Sequence, residues 1–133
     1  MSDPESIDRG IAEFGALLAG YVADHPGCLG AVLTDDDGYP IDHARRRAAV
    51  SPLDLQIAGA QLEHLLCGLR ARGGPLSASP LGVAFRGARG LVLATTIGQD
   101  YALVALHRRT DAIHGVEADF DALTRALADL LGA

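Results

Sequence analysis

Residues 81–107 read LGVAFRGARGLVLATTIGQDYALVALH. Three apolar runs, at 81–86, 91–97 and 101–107, are separated by Gly87-Ala88-Arg89-Gly90 and Gly98-Gln99-Asp100. Such links are too short for a crossover connection. Each strand must turn back on the one before, which gives an antiparallel meander. Upstream, 28–34 is another short apolar run. Asp35-Asp36-Asp37-Gly38 reads as a turn, and 39–43 returns as the second strand of a hairpin. Arg45-Arg46-Arg47 leads out of it. Downstream, a helix starting near Thr110-Asp111 carries Ile113, Val116, Phe120, Leu123, Leu127 and Leu130 on one face. At the other end, Asp3 is a suitable helix cap, followed by Pro4 and Glu5. Ile7, Ile11, Phe14, Leu18 and Tyr21 then form one stripe, and His25-Pro26-Gly27 ends that helix. The order is helix, two strands, helix, three strands, helix. It describes one α+β domain over residues 1–133.

The helix between the two groups of strands has the clearest start. Ser51-Pro52-Leu53-Asp54 supplies a capping hydroxyl, a proline for the first turn and a carboxylate. The helix runs to about Ala71, and Gly73-Gly74-Pro75 stops it. It carries two apolar stripes. Leu55, Ala58, Leu62, Leu65 and Leu69 form one; Leu53, Ile57, Ala60, His64, Cys67 and Ala71 form the other. At 100° per residue they lie on opposite sides, with Gln56, Glu63 and Arg70 as a polar ridge between them. One sheet covers only one side of a helix. The second stripe is either mild enough to tolerate water or a contact with another chain. The expectation adopted is a homodimer with the two middle helices near its two-fold axis.

Composition removes several classes of function. The chain has 133 residues, a net charge of −6, and 11 basic residues that are all Arg. Without Lys there is no P-loop NTPase, Schiff-base enzyme or lysine-dependent kinase. The acidic balance and sparse aromatics argue against nucleic acid and anionic membranes as partners. The acidic N-terminus does not read as a secretory signal, and no apolar stretch is long enough to span a bilayer. Two cysteines are too few for a disulfide framework, so a cytoplasmic protein with reduced thiols is expected.

His25 with Cys28 and His64 with Cys67 repeat an H-x-x-C spacing that invites a zinc reading. One pair straddles a loop and a strand while the other sits on a helix, so no metal is expected. Asp35-Asp36-Asp37-Gly38 lacks the alternating ligands and later glutamate of an EF-hand loop, and reads as a hairpin turn. Ser77 and Ser79 lie in a connector without a nucleophile elbow. Gly73-Gly74 is a helix stop, not a phosphate cradle. No catalytic residue and no cofactor emerge.

The pattern resembles the roadblock/dynein light chain family along nearly the whole chain. Gly27-Cys28-Leu29-Gly30-Ala31-Val32-Leu33-Thr34, running into Asp37-Gly38-Tyr39-Pro40-Ile41, is similar to that family's first hairpin. Residues 91–97 and Asp100-Tyr101-Ala102-Leu103-Val104-Ala105-Leu106 are similar to its last two strands. The resemblance implies a roadblock/profilin-like arrangement: a five-stranded antiparallel sheet with one helix on one face and two on the other. It implies dimers formed through middle strands and middle helices, which would place Val83 and Phe85 at the joint. Bacterial relatives regulate small Ras-like GTPases, some by stimulating GTP hydrolysis, and eukaryotic relatives are scaffolds. The expected function is therefore a non-enzymatic dimeric regulator or scaffold for such a GTPase. Its interface would be Leu53, Ile57, Ala60, His64, Cys67, Val83 and Phe85, rimmed by Arg45, Arg46, Arg47 and Arg70. Solvated loops are the competing reading for the arginines. A small-ligand sensor, or a structural scaffold without a GTPase partner, is the alternative function.

Overall fold

The computed structural model describes residues 6–72, 82–88 and 90–133; the side chains of Arg70 and Arg72 lie outside the description. The elements are β1 (Ile7–Arg9), α1 (Glu13–Asp24), β2 (Cys28–Asp35), β3 (Pro40–Arg46), α2 (Pro52–Arg72), β4 (Gly82–Arg86), β5 (Leu91–Ile97), β6 (Tyr101–His107) and α3 (Ile113–Leu131). One antiparallel sheet has the order β1-β3-β2-β6-β5-β4. The sheet therefore has six strands, not the expected five, and the extra strand lies where the sequence suggested helix.

The first helix begins later than its apolar spacing implied. Ile7 pairs with Arg46 and Arg9 with Ala44, which covers the edge of β3. Ile11, read as part of the stripe, is fully exposed. Two carboxylates explain the change. Asp8 meets Arg45 at 3.2 Å and His43 at 3.6 Å, fixing the strand. Asp42, from β3, accepts a buried hydrogen bond of 2.7 Å from the Gly15 amide and so caps α1 from outside the helix. The local cap position, Ala12, has no side chain able to do this. Asp3, Pro4 and Glu5 lie outside the described residues.

The strands alternate between two cores, one on each face of the sheet. Leu18, Val22, Leu33, Leu103, Phe120 and Leu127 pack between the sheet and the α1–α3 layer. Val32, Leu55, Leu66, Ala94, Ala102 and Val104 pack beneath α2 on the other face. The expected one-and-two division of helices holds. In the β2–β3 turn Gly38 takes φ +79°, a conformation open to glycine at little cost. Asp35 Oδ1 there accepts from the Asp37 and Tyr39 amides at 2.9 Å each.

Candidate partner interface

Helix α2 starts as its sequence dictates: Ser51 Oγ accepts the Asp54 amide at 3.0 Å. Its seat on the sheet is set by Gly59. A Cβ there would stand 2.8 Å from Val32 Cγ1 and 3.1 Å from Thr34 Cγ2, so the bare backbone lies directly on β2. Leu55, Leu62 and Leu66 flank this contact and face the sheet. That rotation differs from the inner stripe read from sequence. Leu65 and Leu69, assigned to the core, are exposed.

The outer stripe is open to solvent. Leu53 is 63% exposed, Ile57 is 45% exposed, and His64 and Cys67 are exposed beside them. Ala60 is half-buried, because the Gly38 turn approaches to within van der Waals contact of it. On the outermost strand, β4, Val83 is half-buried on the α2 face and Phe85 is 43% exposed. The helix and the strand thus present apolar groups on the same face of the sheet.

The arginine run divides. Arg45 donates to Asp8 and to the carbonyls of Arg47 and Val50 at 3.1–3.2 Å. Arg46 donates to the carbonyls of Cys28, Val22 and His25 at 2.9, 2.5 and 3.2 Å, which ties β3 to the end of α1. Both lie within β3 and are spent inside the chain, whereas the sequence placed them in a connector at a partner's rim. Arg47 has a side chain 58% exposed and only a 3.7 Å approach to Asp8. The Arg70 side chain falls outside the description.

The two H-x-x-C pairs do not converge. His64 and Cys67 lie on α2, while His25 and Cys28 lie on the α1 side of the sheet. Burial pushes the Cys28 thiol up to about 12, and its Sγ donates weakly to the Gly30 carbonyl at 3.6 Å. That side holds a polar cluster the sequence did not reveal. His107, fully buried at the end of β6, meets Tyr21 Oη at 2.6 Å and Asp111 Oδ2 at 3.0 Å. Arg108 donates to Asp111 Oδ1 at 2.6 Å. Burial lowers the His107 pKa and His25 adds to this, against the opposing pull of Asp111. Burial also opposes ionisation of Asp111, but hydrogen bonds from Arg108 and His107 hold its carboxyl below the ordinary range. Gly27 abuts that carboxylate so closely that any Cβ would overlap it.

A second polar feature lies beside the outer face of α2. Glu63 is 7% exposed. It lines a cavity of 190 Å³ with Asp36, Cys67, Thr96, Gln99 and Tyr101. Burial raises its pKa, and the turn's three aspartates add to the rise against a pull from His64.

This architecture is the roadblock/LC7 fold. It superposes on gliding protein MglB from Thermus thermophilus with TM-score 0.74 and 19% identity, over 87% of this chain and 86% of that one. A structure of MglB with a tetrameric arrangement gives 0.75 and 18%, over 97% and 90%. A Roadblock/LC7 domain from Streptomyces avermitilis gives 0.71 and 19%, over 89% and 97%. No protein-family profile and no curated protein matches the sequence itself. At these identities the likeness establishes the fold. Among the described residues no helix is long and apolar enough to cross a membrane.

Proposed function

We propose that the chain is a self-associating, non-enzymatic regulator or scaffold for a small Ras-like GTPase. The observation that carries this reading is the solvent-exposed outer face of α2. Leu53 and Ile57 remain exposed on a helix whose opposite side is already packed. Apolar area of this kind is stable in solution when a second surface covers it. Val83 and Phe85 extend the same face to the edge strand, where a second copy would continue the sheet. The tetrameric arrangement described for one MglB structure favours self-association. Any stimulation of GTP hydrolysis would come from reshaping the GTPase, or from Arg47 reaching it in trans.

Two measurements test this. Light scattering at micromolar concentration should give twice the protomer mass. Capture from the native host's lysate, with GDP and then with a non-hydrolysable GTP analogue, should retain a Ras-like GTPase preferentially in one nucleotide state. A monomer throughout, with no GTPase retained from a lysate shown to contain one, overturns the reading.

A further inference from the structure

We propose that β1 is a detachable strap, and that two copies of the chain associate by exchanging it, each β1 pairing with the β3 edge of the other copy. The strand is lightly held. Ile7 and Asp8 are half-buried, and Arg9 is exposed. Ile7 packs at the margin of the α1–α3 core. The remaining hold on β3 is polar. The Arg47 amide donates to the Ser6 carbonyl at 3.1 Å, and the Gly10 amide to the His43 carbonyl at 3.0 Å. The Asp8 carboxylate stands among His43 at 3.6 Å, Arg45 at 3.2 Å and Arg47 at 3.7 Å. An element that buries so little apolar surface opens at low cost.

Opening uncovers the β3 edge, whose freed amides and carbonyls take up another strand. Charge selects which one. The edge carries His43, Arg45 and Arg47, so the incoming strand must bring a carboxylate opposite Arg45. In β1 of a second copy Asp8 holds that place, in the register Ile7↔Arg46, Asp8↔Arg45, Arg9↔Ala44. Reciprocal exchange closes as a two-fold dimer. The hinge to α1 is Gly10-Ile11-Ala12, and it is tight: a Cβ at Gly10 would overlap the Asp42 carboxylate. Short hinges favour exchange over closure. Ile11 is fully exposed in the closed protomer. When two hinges cross between copies, each Ile11 gains a neighbour to cover it. β1 and β4 are opposite ends of the sheet. Exchange is therefore compatible with association through α2 and β4, and it does not depend on the GTPase reading.

The test uses full chains in a Cys67→Ser background, one carrying Arg9→Cys and the other Ala44→Cys. These positions are register partners, and antiparallel partners lie about 4.5–5.5 Å apart at Cα, which a disulfide spans. The reduced chains are mixed at about 1 mM, the effective concentration that a short tether provides, and oxidised with glutathione disulfide. Peptide mass mapping should find position 9 of one chain joined to position 44 of the other. With both substitutions in one chain, the link should be internal at about 10 μM and pass between chains as concentration rises. Two glycines inserted after Ile11 relax the hinge and should lower the interchain yield about fivefold or more. The unaltered chain gives an independent readout: its mass in light scattering should at least double between about 10 μM and 1 mM, and that of the hinge-lengthened chain should not. Association through α2 alone produces no 9–44 link between chains. Absence of that link at about 1 mM overturns the proposal. So does an interchain yield indifferent to hinge length.

Discussion

His107 shows how one buried side chain ties three elements together. It ends β6, receives Tyr21 of α1 on one nitrogen and binds Asp111, ahead of α3, with the other. Neutral imidazole fits this arrangement: Nδ1–H donates to the carboxylate and Nε2 accepts the phenol. Its pKa in the folded protein lies below the ordinary 6.5. The unfolded chain therefore takes up the proton first. The resulting stability is present above pH 6.5 and is lost as pH falls from there through the depressed native value. The raised pKa of Glu63 works in the opposite direction. In a Glu63→Gln background the free energy of unfolding should consequently fall between pH 7 and 5, with a slope of at most about 1.4 kcal/mol per pH unit from His107. A flat profile would show that the imidazole protonates without cost. None of this was legible in the sequence, where His107 is only the last residue of a strand. Its partners are brought together by the fold alone.

At the scale of elements, the meander, the hairpin turn and the start of α2 were legible because each rests on local chemistry. The boundaries Leu91–Ile97 and Tyr101–His107 follow from short polar links, and Ser51 caps α2 through its own hydroxyl. The misread portions depend on distant groups. Strand β1 exists because β3 offers an edge, and α1 starts at Glu13 because Asp42 caps it. The rotation of α2 depends on Gly59 lying against Val32, which apolar spacing does not register. The outer stripe survived the misreading, since Leu53 and Ile57 are exposed under either rotation. The two sides of α2 should respond differently to substitution. Leu55→Ala removes a buried side chain and should cost about 2–4 kcal/mol in denaturant unfolding. Ile57→Asp should change protomer stability by only about 0.5 kcal/mol, yet convert the dimer to monomer in light scattering. A folded Ile57→Asp dimer would remove α2 from the interface.

For the whole molecule, the decisive feature is the unequal cover of the sheet. Among the described residues sixteen buried side chains form the core on the α1–α3 side, and six form the core beneath α2. Among the described residues α1 and α3 also pack on each other, whereas α2 packs chiefly on strands β2, β6, β3 and β5. Protection against opening follows the apolar surface an element buries. In the isolated protomer α2 should thus be the layer that opens most readily, while β2 and β6, covered on both faces, open last. Association through the outer face of α2 would reverse this, because Leu53 and Ile57 would then be buried as well. Amide hydrogen exchange distinguishes the two states in one experiment. Exchange of α2 amides should slow as wild-type concentration rises, while the amides of β2 and β6 remain nearly constant. In Ile57→Asp the α2 amides should exchange fast at every concentration. If α2 is as protected as the central strands in a demonstrated monomer, the thin core beneath it suffices, and its exposed leucines need no partner to explain them.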